Sequence, residues 1–416
     1  MRVAVIGAGI SGLAATWLLQ RGHEVTLFEA GPTAGGHAHT VDVEHEGRRH
    51  AVDTGFVVYN ETTYPRLVEL FAGLGVATRP SDMSFSVRNE RTGLEYCGSG
   101  FRTLFAQPRN LFSPRFHRML GDILRFHRTV ETAAERLGER ATLGDLVARE
   151  SYSAAFVDDF LTPMVGAIWS TPAGRMLDAP ALFLVRFLKN HGMLSVDGQL
   201  PWRTVTGGSR SYVDALVAKL RTPPRVSTPI RAVRRLDDAI EIVPEAGGRV
   251  RFHQVVLAVH SDQALALLED ADDGEREALG AIRYASNAVT LHSDISLLPR
   301  RRAARASWNF HAGGPDDDLV RLTYDMSRLQ GLATRTPLLV TLNRDETIAP
   351  ETVLARFRYA HPRYDLAATA AQRRLAERNG ARRTWYCGAW MGNGFHEDGL
   401  VSAHAVARAL SYEAAA

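Results

Sequence analysis

The hydrophobic pattern of the chain changes period several times. It opens on an unbroken apolar run, Val3-Ala4-Val5-Ile6, as a strand buried on both faces requires. Gly7-Ala8-Gly9-Ile10-Ser11-Gly12 follows, then a helical pattern from Leu13 to Leu19 that ends at Arg21-Gly22. A second strand, Glu24-Val25-Thr26-Leu27-Phe28, ends on Glu29. Residues 41–53 alternate about Glu46-Gly47 and predict a hairpin. Thr63 to Leu74 predicts a helix stopped by Gly75. From about 80 to 200 this βαβ rhythm is lost: a short hairpin pairs Phe85-Ser86-Val87 with Leu94-Glu95-Tyr96, and helices follow. Phe116, Met119, Leu120, Ile123, Leu124 and Phe126 fall at helical spacing, interleaved with Arg115, Arg118, Arg125 and Arg128. This stretch is compatible with a basic amphipathic helix on an anionic membrane and with an ordinary domain helix. Ala181 to Leu188 predicts an apolar helix, either core or the wall of an apolar cavity.

The pattern then returns to its opening style. Gly207-Gly208-Ser209 precedes a helix over 212–220, with Ser209 the expected cap. Strands are predicted at 230–233 and 255–259. A second excursion, about 270 to 380, carries strands at 288–291, 319–324 and 338–342, read as a mixed sheet. Thr384 to Cys387 is a last strand, followed by Gly388, a glycine-rich turn and a helix over 400–410.

The opening motif carries the first chemistry. A strand, a G-x-G-x-x-G turn, a helix, a second strand and an acid stand in the order of a dinucleotide-binding unit. Gly7 permits the tight turn, Gly9 lets backbone approach a pyrophosphate, and Gly12 lets helix and strand pack closely. Ile10 and Ser11 open a helix whose free N–H groups suit an anion. Glu29 stands 20 residues after Gly9, where an acid bonds a ribose hydroxyl and disfavours a 2′-phosphate.

A second glycine pair, Gly35-Gly36, follows Glu29 and Ala30 at once, and it resembles the FAD-binding extension of the amine oxidase and phytoene desaturase superfamily. Gly36-His37-Ala38-His39-Thr40, Asp53 to Asn60, Ile168-Trp169-Ser170-Thr171, Asn190-His191-Gly192, Trp202 to Tyr212 and Gly394 to Gly399 extend the likeness through nearly the whole chain. Together they resemble bacterial FAD-dependent amine-oxidase-like proteins found beside cyclopropane-fatty-acid synthase-like methyltransferases. That branch includes the flavin desaturase of furan fatty acid synthesis. The resemblance implies an α/β chain with a discontinuous Rossmann-type FAD-binding domain (1–79, 201–268 and 380–416) and an α+β substrate domain (80–200 and 269–379). It places Gly35, Gly36, His37, Thr54, Gly55, Phe56, Val57, Ile230, Gly388, Asp398, Gly399 and Leu400 at the cofactor, beside the fingerprint residues. His37 stands where many members carry arginine, and Asp325 where relatives carry an aromatic. The implied reaction is oxidation or desaturation of a methylated fatty acyl chain. The implied partners are a lipid substrate, a membrane surface and a methyltransferase.

Composition narrows the rest. The net charge of +3 gives no argument for nucleic acid, and two cysteines, Cys97 and Cys387, exclude a disulfide framework and a cysteine metal cluster. No metal site is expected. No signal sequence precedes the first strand and no apolar run reaches membrane-span length, so the expected location is cytoplasmic, with the inner membrane face open. Of 49 Lys+Arg residues only Lys189 and Lys219 are lysines. Neither stands on the strand where many amine oxidases place a lysine near the flavin, which lowers the amine reading without excluding it. A double bond also needs a base on the carbon next to the oxidised one; His191, His396 and Glu397 are the candidates. Tyr59, Trp169 and Trp202 are expected pocket linings. A soluble amine oxidase and a non-catalytic flavoprotein supporting a methyltransferase remain alternatives.

Overall fold

The computed structural model describes residues 1–170, 173–195, 200–313 and 319–413. Its centre is a four-stranded parallel sheet in the order Thr384–Tyr386, Gln254–Leu257, Arg2–Ile6, Glu24–Phe28. The strands come from the end, the middle and the start of the sequence. Helices cover one face, and the antiparallel strands Ile230–Arg235, Ile240–Pro244 and Val250–Phe252 cover the other with further helices, so the central strands read as continuous apolar runs. On one face the helix Ile10–Leu19 lies against the C-terminal helix His396–Glu413. On the other face Phe28, Ile230, Ile242 and Leu257 pack with Leu279 and Leu375. Those last two belong to the helices Asp273–Ala281 and Leu366–Arg378. The expected boundaries assign both helices to the substrate half; their buried residues share a core with the nucleotide sheet.

A seven-stranded sheet forms the second layer, in the order Val353–Pro362, Tyr284–His292, Leu339–Leu342, Leu322–Asp325, Trp308–Ala312, Phe85–Asn89, Leu94–Cys97. All its neighbours are antiparallel except Trp308–Ala312 with Phe85–Asn89, so the expected mixed sheet is present and larger than predicted. Trp308–Ala312 and Val353–Pro362 were not anticipated. The latter alternates half-buried with mostly exposed positions, which include Arg356 and Arg358, and so presents no apolar run. The predicted strand at 319–324 is formed only from Leu322. A helical subdomain roofs this sheet. Its long helix, Pro114–Leu137, is capped by Ser113, whose Oγ accepts the Phe116 N–H at 3.3 Å. Phe116, Met119, Phe126 and Val130 turn inward to meet Leu184 and Leu188 of the helix Ala181–Asn190.

Two polar knots tie distant segments together. Asp53, at the end of the hairpin strand Arg48–Asp53, accepts hydrogen bonds from Thr40 Oγ1 (2.6 Å), from the Ser209 N–H and Oγ (each 2.8 Å), and from Gln330 Nε2 (3.0 Å). Ser209 therefore does not cap the helix Arg210–Val217 with its side chain, as the sequence predicts; its hydroxyl is spent on Asp53. Burial lifts the Asp53 carboxyl to about 6 against these hydrogen bonds.

In the second knot, Arg235 and Glu275 form a buried bidentate pair at 2.5 and 2.8 Å, joined by Tyr386 Oη at 2.8 Å. Burial opposes ionisation of Glu275, but Arg235, the Asp272 N–H and Tyr386 hold its carboxyl down at about 2. A carboxyl depressed in the folded state stabilises fully above its unfolded pKa and loses that contribution as pH falls toward the folded value. Arg235→Ala strands the Glu275 charge in the core and is expected to cost about 3–5 kcal/mol in urea denaturation at neutral pH. The difference from wild type narrows between about pH 4.5 and 2. A loss below about 1 kcal/mol at neutral pH would contradict the role assigned to this pair.

Candidate functional site

The turn between the first strand and its helix is set by sterics. A Cβ on Gly12 would lie 1.8 Å from the Gly7 carbonyl oxygen and 3.1 Å from Ala258 Cβ. Gly7 itself has φ +99°, a region glycine adopts without strain. Gly12 thus acts between helix and strand and does not reach the cavity. A Cβ on Gly9, by contrast, would meet nothing within 4 Å. Gly9 faces open space at the N-terminus of the helix Ile10–Leu19, which has no side-chain cap and no acid in its first turn. Its first N–H groups are therefore available to an anion. Glu29 closes the other side: one carboxylate oxygen accepts the Ala8 N–H at 2.7 Å and the other the Gly31 N–H at 2.7 Å. Gly35 and Gly36 both have positive φ, and a Cβ on Gly36 would sit 3.0 Å from Gly9 Cα.

This turn opens into one continuous cavity of about 1600 Å³. Ordinary small-molecule sites hold roughly 300–1,000 Å³, so the space accommodates a dinucleotide together with a substrate. Of the residues expected at the cofactor, Gly7, Gly9, Ile10, Ser11, Glu29, Ala30, Gly35, Gly36, His37, Thr54, Gly55, Phe56, Val57, Ile230 and Gly388 line it. Gly12, Asp398, Gly399 and Leu400 stand behind the wall. The C-terminal helix starts at His396, four residues earlier than predicted, which puts Gly399 and Leu400 inside it. A Cβ on Gly399 would lie 2.7 Å from Ser11 Oγ, so this glycine lets two helices cross closely. Leu400 is core. Asp398 accepts the Phe395 N–H at 2.9 Å and an Asn393 Nδ2–H at 3.3 Å, fixing the turn that carries Gly394 and Phe395 into the cavity.

The midsection of the wall is aromatic. His396 stacks on Phe56 at 3.7 Å and 17°, with Nε2 2.8 Å from Tyr212 Oη. Burial lowers the His396 pKa to about 3. An imidazole so weakly basic is a poor proton acceptor, and this one is committed to Tyr212. His37 packs its ring against His361 (5.3 Å) and Tyr359 (5.2 Å), with Nε2 buried and unpartnered among the described residues. Burial, then the neighbouring histidines, hold its pKa well below the ordinary value. It presents a neutral ring to the cavity.

Glu397 is displaced from catalysis by its geometry. Its oxygens accept the Arg66 and Leu67 N–H groups at 2.9 and 3.0 Å, so it caps the helix Pro65–Leu74 and does not line the cavity. Asp325 is likewise a cap, accepting the Arg328 N–H at 3.1 Å. Tyr59 is buried against Tyr64 and Phe71 rather than in the pocket. Trp169 and Trp202 do line it. Of the Ile168–Thr171 motif, Thr171 lies outside the described residues.

His191 stands differently. Its Nδ1 lies 3.0 Å from the Phe187 carbonyl oxygen. A carbonyl only accepts, so Nδ1 carries the proton and Nε2 holds the lone pair. Nε2 has no hydrogen-bond partner among the described residues, and the ring lines the cavity, stacked on Phe187 at 3.9 Å. Burial lowers its pKa, which keeps it neutral near pH 7. Leu104, Leu120, Ile123, Phe160, Met164 and Met193 give the cavity a mainly apolar arm, which also holds the ring of His127 beside Phe160. Sequence reasoning missed Leu104, Phe160 and Met164, because their spacing is also that of ordinary core. No lysine lines the cavity among the described residues; Lys189 is paired with Glu131 at the surface and Lys219 is exposed.

An uncapped helix terminus, a glycine cradle that a Cβ would fill, and an acid beside the cradle fit the pyrophosphate and ribose of a dinucleotide. The architecture is that of an FAD-dependent oxidoreductase. A sequence profile described as flavin containing amine oxidoreductase matches residues 10–292, and the chain belongs to that family. Its cofactor is FAD. No curated protein sequence matches the chain. Among solved structures, a CLA-producing fatty acid isomerase from P. acnes is similar at TM-score 0.69 and 17% identity, over 99% of this chain and 98% of that one. A triple mutant of putrescine oxidase gives 0.72 and 15%, over 99% of each chain. Cyclohexylamine oxidase from Brevibacterium oxydans IH-35A gives 0.68 and 17%, over 99% of each. At these identities the likeness shows the fold.

Gly9 provides a clean test of the cradle. Its φ of −73° and ψ of −176° suit any residue, and a Cβ there meets nothing within 4 Å. Gly9→Val should fold with an unchanged circular dichroism spectrum but purify without flavin absorbance. A yellow Gly9→Val protein would place the cofactor elsewhere.

Proposed function

We propose that this oxidoreductase desaturates or otherwise oxidises a lipid acyl chain, with His191 as the proton acceptor. The observation that supports this most directly is the apolar arm of the cavity. Its lining drawn from 104–193 is mainly aliphatic and aromatic, with His127 among it, and the carboxylates that line the same cavity, Glu29, Asp53, Asp82 and Glu245, come from other segments. Bound FAD supplies the acceptor for the hydride lost from a substrate C–H bond. The remaining work falls to the protein. Leu120, Ile123 and Met164 hold an extended chain by burial, each methylene contributing roughly 0.8 kcal/mol. Phe395 and Trp202, with ring centroids 6.2 and 6.3 Å from that of His191, flank the junction where the chain reaches the cofactor end. There the Nε2 lone pair of His191 can take the proton from the carbon adjacent to the oxidised one, while Phe187 fixes the tautomer through Nδ1. The apolar arm also keeps water from the reacting carbons.

The link to furan fatty acid synthesis and to a methyltransferase partner belongs to this proposal and rests on the motif resemblance. The fatty acid isomerase from P. acnes shares the fold, and a fatty acid is compatible with the apolar arm.

The test is incubation with methyl-branched and unbranched acyl phospholipids, with mass analysis of the released chains for loss of two hydrogens. His191→Ala should retain FAD and lower the rate by about 10²–10⁴-fold. The wild-type rate should fall as pH drops below 6.5 toward the depressed pKa of His191 and stay level above it, because only the neutral ring accepts a proton. Full turnover by His191→Ala, or a rate indifferent to acid, would remove His191 from this role.

A further inference from the structure

The apolar arm ends beneath an unusual patch of surface. Leu124 both lines the cavity and is 44% exposed, so the arm reaches solvent at this residue of the helix Pro114–Leu137. Just before this helix the chain makes two short helical turns, Phe101–Leu104 and Pro108–Phe112. Thr103 and Leu104 of the first also line the cavity. Phe101 is 72% exposed, Phe112 86% and Leu111 42%. Phe101 and Phe112 are the only phenylalanines among the described exposed large hydrophobics. Their place on 101–124 is therefore a local feature and not a general property of the surface.

The charges around this patch have one sign to spare. The turn Arg302–Ala304 packs beside Phe101–Leu104 and brings the Arg300-Arg301-Arg302 run to the patch. Arg128 lies one turn beyond Leu124 on the same stripe of the long helix. Arg102, Arg128, Arg300, Arg301 and Arg302 make no ion pair among the described residues. Several of the nearby acids are already engaged. Asp122, Asp158 and Asp159 pair with Arg115, Arg118 and Arg125. Glu95 is buried and accepts the Arg300 and Arg301 backbone N–H groups. Bulky apolar side chains ringed by unpaired arginines match a bilayer with anionic headgroups, the apolar groups entering the acyl boundary and the guanidinium groups meeting phosphate. A soluble partner would have to supply both an apolar seat and a spread of acids.

We infer that the surface formed by 101–124 and the Arg300–Arg302 turn docks on an anionic phospholipid membrane and holds the mouth of the apolar arm against it. This deepens the acyl-chain reading and rests on it for its purpose. It needs no membrane span, and no helix among the described residues is long and apolar enough to cross one.

The experiment is flotation of the FAD-loaded protein with vesicles of phosphatidylcholine alone or mixed with phosphatidylglycerol. Wild type should float with the mixed vesicles, bind the neutral ones far less, and release as salt is raised. Phe101→Ser with Phe112→Ser should weaken binding by about tenfold or more. Arg102→Ala with Arg302→Ala should weaken it about fivefold for each arginine removed. Both double variants touch only exposed side chains and should keep the flavin spectrum and the thermal midpoint of wild type, which separates docking from folding. A wild type that stays in solution with anionic vesicles, or that binds no better than both double variants, overturns the inference. Binding is read without turnover. A protein that docks as described yet oxidises no lipid would leave the surface standing and remove the acyl-chain reading.

Discussion

The structure depends on how closely backbone approaches backbone at the first turn. The Gly7 carbonyl occupies the position of a Gly12 Cβ, and Gly36 lies almost on Gly9. These contacts seat the helix Ile10–Leu19 directly on the parallel sheet and leave its N-terminus uncapped at the cavity. The same economy recurs at the far end of the chain, where Gly399 lets the C-terminal helix cross beside Ser11. That crossing carries Phe395 and His396 to the cavity wall from residues nearly four hundred positions away. A side chain at Gly12 or Gly399 would separate these layers, and the site would lose its floor and part of its wall together.

The second dependence is polar. A single carboxylate, Asp53, gathers the hairpin, the start of a helix at Ser209 and Gln330, which caps the short helix Met326–Leu329 after the strand Leu322–Asp325. It therefore ties the nucleotide half to the half built on the seven-stranded sheet. The Phe56–His396 stack lies close to this join. Between them the cavity changes from glycine and backbone to aromatic rings, and then to the aliphatic arm. A dinucleotide cradle and an apolar arm thus share one continuous space.

Where function resided in local backbone geometry, it was legible in the sequence. The strand, glycine turn, helix and acid of residues 2–29 lie in one short segment, and each residue type there has one steric or electrostatic reason. The C-terminal motif was legible only in outline. Glu397 and Asp398 sit among glycines beside a cavity and look like chemistry, yet both satisfy backbone N–H groups. Nothing in the order of residues separates a helix cap from a catalytic acid. Ser209 and Asp325 carry the same lesson. The strand Val353–Pro362 was missed because its exposed face carries arginines and its other face is only half buried. His191 is one of three candidate bases in the sequence, and only the fold shows its Nδ1 held by the Phe187 carbonyl.

The central claim is that electrons enter this flavoprotein from an acyl chain. The most direct measurement is anaerobic bleaching of the flavin absorbance, with acyl phospholipid in one cuvette and a panel of primary amines and polyamines in the other. The account predicts bleaching by lipid, with no response to any amine. Bleaching by an amine alone would contradict it. That result would make the apolar arm a seat for the hydrocarbon part of an amine substrate.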